Sequence, residues 1–374
     1  MLGCWSELAA MLYSKVADGG CVCVIVNTVP DAQELYQQIK RAAIDDDDLW
    51  LRLFHARFPA DRRQQIEQEC LDRFGKGNLR EPGNPKYNRP PRALLVATQV
   101  VEQSLDLDFD EMASALAPID LLLQRAGRLH RHDGRSRPAG MRTARLTVFT
   151  PTKPGEYGGT GFVYAPWILR KTEHFLADKN SLSVPEDMRL AIEAVYSAEE
   201  PETSEGYKEW YEMVYNDQLN AGLARASELP PPTPDSFFGT QNRGGGGAQE
   251  GTLFNDDDAI SKVASLKTRL GESSTRIALL DETLFKQAMV PNPSAQLAKQ
   301  VLLRSLSVPS RLIGDCGAAG FDAPYEGDGL LKGVVLLKMV NHRYVFESDQ
   351  GTGVLTEDAE LGILFEGRKD IGSL

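Results

Sequence analysis

The sequence lacks the marks of a membrane-spanning, disulfide-stapled or non-specific nucleic-acid coat protein. Nowhere in its 374 residues is there a run of about 18 apolar residues able to cross a bilayer. The longest apolar runs, such as Val334–Leu337 and Leu121–Leu123, are core-sized. Cysteines number five (Cys4, Cys21, Cys23, Cys70, Cys316), an odd count without disulfide-like spacing. The opening MLGCWSELAAML has no cationic flank before its apolar stretch, so no signal peptide is expected and the cytoplasm is the expected location. Basic residues are in the minority, 41 against 53 acidic, giving a net charge of -12. That balance argues against a basic coat on nucleic acid, although it leaves room for a local basic groove.

What is present is ordinary globular material. The hydrophobic fraction is 42% and the charged fraction 25%, and the length suggests about two to three domains. Over the first 150 residues, short apolar runs alternate with amphipathic stretches. Cys21–Val26 reads as a strand buried on both faces, followed by a helix over Asp31–Ala43 with Asp31 a candidate N-cap. Strands are expected at Leu49–Phe54, Arg92–Ala97, Met112–Leu116 and Leu146–Phe149, with helices at Ala60–Phe74 and Ile119–Leu129. This alternation predicts an α/β fold with a parallel sheet and flanking helices. Residues 151–259 read as a helical linker (Trp167–Asp178 and Pro185–Tyr196), with a flexible Pro/Gly-rich stretch at Pro230–Gly251. Residues 260–374 read as a small α+β domain, with strands at Val334–Val340, Arg343–Glu347 and Leu361–Phe365.

Two segments carry the chemical signal. Val96–Asp106 (VATQVVEQSLD) runs off a strand end, where open parallel sheets bind ligands, so Thr98 and Gln99 are well placed to meet one. Gln124–Arg131 (QRAGRLHR) brings Arg125, Arg128 and Arg131 at intervals of three, with Gly127 permitting close approach. Seven arginines (125, 128, 131, 135, 137, 142, 145) face a single acid, Asp133, between Gln124 and Arg145. In a chain of net charge -12 this is a local reversal. Planar guanidiniums fit phosphate oxygens bidentately, so phosphate is the expected counterpart. A solvated arginine-rich helix face is the plainer reading, which the regular spacing and the neighbouring strand end disfavour.

ATQVVEQSLDLDFD followed by QRAGRLHRH resembles motifs V and VI of superfamily 2 helicases, specifically those of Cas3, the helicase–nuclease of type I CRISPR systems. VIVNTV (Val24–Val29) and LFHARFPADRR (Leu53–Arg63) resemble that family's motifs IV and IVa, in the right order. Among subtypes the segment looks most like type I-E. The resemblance implies a second RecA-like motor domain over residues 1–150, followed by the linker and an accessory C-terminal domain. It further implies ATP, with magnesium, in a cleft shared with a first RecA-like domain. Arg128 and Arg131 would be arginine fingers toward the γ-phosphate, supported by Gln124, Arg125 and Gly127, with Asp106 near the ribose. Thr98 and Gln99 would couple the cleft to single-stranded DNA, and Asn27, Thr28, His55 and Arg57 would touch its backbone. The implied partners are single-stranded DNA, an N-terminal half with an HD nuclease and first RecA-like domain, and a Cascade-type surveillance complex. One departure is Ser104, where many helicases carry Gly before the Leu-Asp pair.

Other parts of such a machine are missing from the sequence. No G-x-x-x-x-G-K-[ST] phosphate loop occurs; Gly75-Lys76 is followed by Gly77. Asp110-Glu111 imitates a magnesium-binding pair but has no phosphate loop upstream, and reads as a surface turn. The histidines (55, 130, 132, 174, 342) are scattered, and His132-Asp133 lies among arginines that repel a cation. Asp106, Asp108 and Asp110 begin like a calcium loop, but Glu111 and Ala117 stand where Gly and Glu are required. Cys21 and Cys23 read as small core residues, not zinc ligands, and Asp45–Asp48 as a solvated turn. No metal site is expected. The chain therefore reads as the C-terminal half of a Cas3-type motor, truncated or separately encoded and inactive alone. The alternative is a non-catalytic fragment that grips DNA or a surveillance complex.

Overall fold

A computed structural model describes residues 5–102, 105–153, 155–177, 179, 181–196, 274–290, 293–313, 330–348 and 351–366. The first sheet is parallel throughout, with five strands in spatial order β2-β3-β1-β4-β5: β1 Gly20–Ile25, β2 Trp50–Phe54, β3 Arg92–Ala97, β4 Glu111–Ala115 and β5 Leu146–Phe149. All six residues of the central β1 are buried, Cys21 and Cys23 among them. A strand covered on both faces needs an unbroken apolar run rather than alternation, and GCVCVI supplies one. Around it, α1 (Trp5–Lys15) packs against α2 (Val29–Ala42), with α3 (Ala60–Phe74) and α4 (Ile119–Ala126) following β2 and β4. Helices α5 (Pro166–Ala177) and α6 (Met188–Tyr196) follow the sheet.

The helix ends depart from the sequence expectation in ways that affect the site. Thr28, not Asp31, caps α2: its hydroxyl accepts the Asp31 N–H, leaving Asp31 in the first turn. That arrangement suits both residues, since an N-cap hydroxyl satisfies an orphan N–H and an acid favours the positive helix end. Helix α4 ends at Ala126 rather than Leu129, with Gly127 as its C-cap. The next residues join the sheet side, where Phe109 N–H donates to Arg128 O and His130 N–H to Phe109 O. Strand pairing thus takes over from the helix before Arg128.

The second sheet is mixed, ordered β11-β10-β9-β8-β6-β7: β6 Ser274–Leu280, β7 Ser305–Pro309, β8 Val335–Val340, β9 Arg343–Ser348, β10 Gly351–Asp358 and β11 Gly362–Glu366. Period-two alternation sends Ile277 and Leu279 to one face, with Phe346 and Leu355. Ala278 and Leu280 go to the other, under α7 (Glu282–Ala288) and α8 (Ala295–Leu303). The turn into β11 seats on α2 and on the segment after β2: Ile363 N–H donates to Arg57 O at 2.9 Å, and Gln33 Nε2 donates to Leu361 O at 2.7 Å. Among the described residues, no helix is long and apolar enough to cross a membrane. The Pro/Gly-rich stretch 230–251 and the expected boundary at 259 lie outside the described residues.

Candidate functional site

The carboxyl ends of β1, β3 and β4 converge on one buried guanidinium. Arg125 is fully buried. Its Nε donates to Glu102 Oε1 at 2.7 Å, and Nη2 lies 2.6 Å from the same oxygen. Nη1 donates to Ser114 Oγ (2.6 Å) and Ala115 O (3.2 Å), while Nη2 reaches Asn27 Oδ1 and Tyr164 OH, both at 3.3 Å. Gln99 Nε2 closes the ring by donating to Asn27 O (3.0 Å) and Tyr164 OH (3.1 Å). Asn27, Gln99 and Arg125 are thus brought together, but as an internal network. Asn27 is buried, its amide donating to Leu116 O and Thr160 Oγ1. With every partner inside the protein, Arg125 offers no N–H to a nucleotide in this structure; its place is beneath the site rather than in it.

His55 and Arg57 also depart from expectation. His55 is fully buried, its Nε2 3.0 Å from Leu361 O and its Nδ1 accepting the Arg57 N–H. Its ring stacks on Phe58 at 4.6 Å. Burial, and then the neighbouring Arg57 charge, push its pKa down to about 3. Arg57 is buried beneath the second sheet, its guanidinium 5.3 Å from the centre of the Phe365 ring. Neither side chain presents a surface to a DNA phosphate here, because the β10–β11 turn covers them. Thr98 is buried where the chain leaves β3, and Thr28 is taken up with capping α2.

The arginine run has a different counterpart from the one its spacing suggests. Arg131 pairs with Asp106 at 2.7 Å, Arg135 with Asp108 at 2.7 Å, and Arg137 with both Asp108 and Asp110. Arg145 pairs with Glu111. With Arg125, five of the seven arginines are neutralised by acids of the Glu102–Glu111 segment. Asp110 and Glu111, expected on a surface turn, are buried: Asp110 accepts the Cys21 N–H and pairs with Arg89, while Glu111 opens β4 and pairs with Lys15. His132 is buried, with Nε2 3.0 Å from Asp106 Oδ1. Burial acts to raise the Asp106 pKa, but hydrogen bonds from Arg131 and His132 outweigh it and hold the carboxylate below its usual range. Among the described residues, no group of three or more His, Cys, Asp or Glu side chains is arranged to hold a metal ion.

Two arginines of the run stand outside this ladder, the exposed Arg142 and Arg128. Arg128 is partly buried and, among the described residues, forms no ion pair. Its Nη2 donates to the Glu102 backbone carbonyl at 2.8 Å, and its Nε–H has no partner. Burial and then the adjacent Arg131 charge lower its pKa, with the Asp106 and Glu102 charges opposing them in part. Gln124 is exposed on the same helix end. A Cβ at Gly127 would lie 3.3 Å from Gln124 O, so the close approach there is to the helix's own backbone. Glu102, Tyr164 and Gln33 went unnoticed in the sequence. Only Glu102 gave a signal, as the one acid in the Thr98–Leu105 turn.

A parallel sheet with flanking helices, carrying TQVVEQ at one strand end and QRAGR on the helix after the next, defines a RecA-like motor domain of superfamily 2 helicases. Residues 18–134 match the family model described as "CRISPR-associated nuclease/helicase Cas3, C-terminal". The chain is 30% identical to the CRISPR-associated endonuclease/helicase Cas3 of Thermus thermophilus, over 94% of this chain and 42% of that protein. It superposes on the crystal structure of T. fusca Cas3 with a TM-score of 0.69 at 26% identity, over 96% of this chain and 40% of that one. On the ADP-bound T. fusca Cas3 the TM-score is 0.68 at 25% identity, over 97% and 41%. The chain belongs to the Cas3 family and is homologous to its C-terminal region. It spans about two fifths of the length of these relatives.

Proposed function

We propose that this chain is one side of an ATP-driven single-stranded-DNA translocase, supplying Arg128 and Arg131 to a nucleotide held mainly by a phosphate-loop domain on another polypeptide segment. One observation carries the reading: among the buried and half-buried arginines of the run, Arg128 keeps its charge without a carboxylate and an Nε–H unused. A half-buried guanidinium without a carboxylate is stabilised by an incoming anion, and a phosphoryl group in transfer spreads negative charge over its oxygens. Arg131 serves the same phosphate after exchanging Asp106 for it, and Gln124 lies exposed beside them. Asp106 remains our candidate for the ribose. The bound nucleotide supplies the phosphoryl group and the energy of its hydrolysis; magnesium comes with it, bound jointly with the phosphate-loop domain. Asn27, Thr28, His55, Arg57, Thr98 and Gln99 remain our candidates for DNA contact; in the conformation described, Asn27, His55, Arg57 and Thr98 are buried. As further partners we propose an N-terminal half with a phosphate loop and HD nuclease, and a Cascade-type surveillance complex.

The test is to mix the purified chain with a phosphate-loop half of a Cas3 and measure DNA-stimulated ATP turnover, with each part alone as control. Turnover in the mixture that neither part shows alone supports the reading. ATP hydrolysis by this chain alone, abolished by Arg128→Ala, would overturn it.

A further inference from the structure

Glu102 combines three features that no other residue of the site has. It caps the short 3-10 turn Gln99–Val101 after β3, its side chain is 1% exposed, and it touches both Arg125 and Arg128. A carboxylate is buried at this depth only when a cation and hydrogen bonds accompany it. Arg125 is that cation, through Oε1 alone, since Oε2 has no partner among the described residues. Arg125 is in turn tied to Ser114 and Ala115 at the end of β4 and to Asn27 after β1. Glu102 is thereby fastened to two strand ends beyond its own.

Two donor groups of Arg128 are held by the members of this pair. Its backbone N–H donates to Arg125 O at 2.9 Å, and its Nη2 donates to Glu102 O at 2.8 Å. The choice of a carbonyl matters. A carboxylate would orient the guanidinium but cancel its charge, as Asp106 and Asp108 do for Arg131 and Arg135. A carbonyl dipole orients the planar fork and leaves the full charge for an incoming anion. We infer that Glu102 is the positioning residue for Arg128: its buried carboxylate, clamped by Arg125, fixes the backbone carbonyl that aims the Arg128 guanidinium without neutralising it. This rests on the reading of Arg128 as an arginine finger only for its catalytic consequence. Misplacing a reacting group by about 1 Å costs on the order of 10²-fold in rate.

The experiment has two arms. On the intact chain alone, arginine side-chain NMR follows the Arg128 Nε–H, identified by its loss in Arg128→Lys. Glu102→Ala is expected to speed its solvent exchange at least about tenfold, while Arg52, paired with Glu69 elsewhere, stays unchanged. In the mixed two-part motor, Glu102→Ala is expected to lower kcat at least about tenfold, with KM for ATP within about twofold. The isosteric double variant Glu102→Met/Arg125→Met separates position from stability, because an apolar pair can replace a buried ion pair without loss of fold. It is expected to recover the melting temperature but not kcat, and it carries the NMR arm if Glu102→Ala does not fold. Unchanged Arg128 exchange in a folded variant, or recovery of kcat together with melting temperature, would overturn the inference. Should the wild-type mixture show no turnover, the finger reading fails, while the exchange arm still decides whether Glu102 positions Arg128.

Discussion

Replacing Arg125 by Met should cost the fold far more than replacing Arg128 by Ala, although both arginines lie in one short motif. Arg125→Met keeps most of the side chain's volume but leaves the Glu102 carboxylate buried without its cation. Removing one member of a buried ion pair costs about 3–5 kcal/mol. The orphaned acceptors at Ser114, Ala115 and Asn27 push toward the upper end of that range. An unfolding entropy of about 2.1 cal/mol/K per residue, over a unit of roughly 300 residues, converts this to a Tm drop of about 5–8 °C. Arg128→Ala removes one hydrogen bond to a carbonyl from a partly exposed side chain, which is worth about 1 kcal/mol and less than about 2 °C. Differential scanning calorimetry on the two variants reads both numbers. If Arg125→Met melts within about 1 °C of wild type, or Arg128→Ala falls as far as Arg125→Met, the division into a structural and a working arginine is wrong.

Three further outcomes are expected. His55 is neutral in the fold, with its pKa near 3, and protonates near 6.5 when unfolded. The stability it contributes is therefore present above pH 6.5 and lost as pH falls from there toward 3, at up to about 1.4 kcal/mol per pH unit; Asp106 acts in the same sense only below pH 4. Denaturant titrations between pH 4.5 and 7 should show this slope, reduced by that amount in His55→Gln. Gly362 has φ +73°, and a Cβ there would lie 2.7 Å from Arg57 O and 2.9 Å from His55 Cε1. Gly362→Val should thus cost more than about 1 kcal/mol and raise hydrogen exchange at Ile363 before the β1 amides. Finally, binding of the chain alone to single-stranded DNA should be weak, its log affinity falling by about 0.7 per neutralised phosphate per tenfold rise in salt. Tight, salt-independent binding would point to base stacking instead.

Much of the first sheet was legible because a parallel core strand advertises itself. Cys21–Val26 and Arg92–Ala97 are continuous apolar runs within a residue of the observed β1 and β3. Less was legible in the second sheet. Strand β10 contains Gly351 and Gly353, which weaken any strand pattern, yet Gly353 is needed because a Cβ there would collide with the Phe346 ring. The site was legible as motifs but not as geometry. Arg125, Arg128 and Arg131 are equivalent by spacing, and only tertiary packing makes the first a buried strut, the second an unpaired cation and the third half of an ion pair. Asp106, Asp108 and Asp110 were weighed as metal ligands, while their partners stood about 25 residues downstream among arginines read as phosphate contacts. The cover over His55 comes from Leu361, 306 residues away, which no local reading can supply.

The central claim is that Arg128 acts on the nucleotide rather than on the fold or the DNA. The direct measurement is kcat for ATP and affinity for single-stranded DNA in the mixed two-part motor, comparing Arg128→Ala, Arg128→Lys and, as an exposed control, Arg142→Ala. Arginine fingers contribute about 10³–10⁵ in rate. The account therefore expects Arg128→Ala to lower kcat by at least about 10³ with DNA affinity within about twofold. Lysine should rescue little, because it keeps the charge and loses the planar fork, and Arg142→Ala should leave kcat unchanged. A fall in kcat of less than about tenfold for Arg128→Ala, with DNA binding weakened as much as in Arg142→Ala, would contradict it.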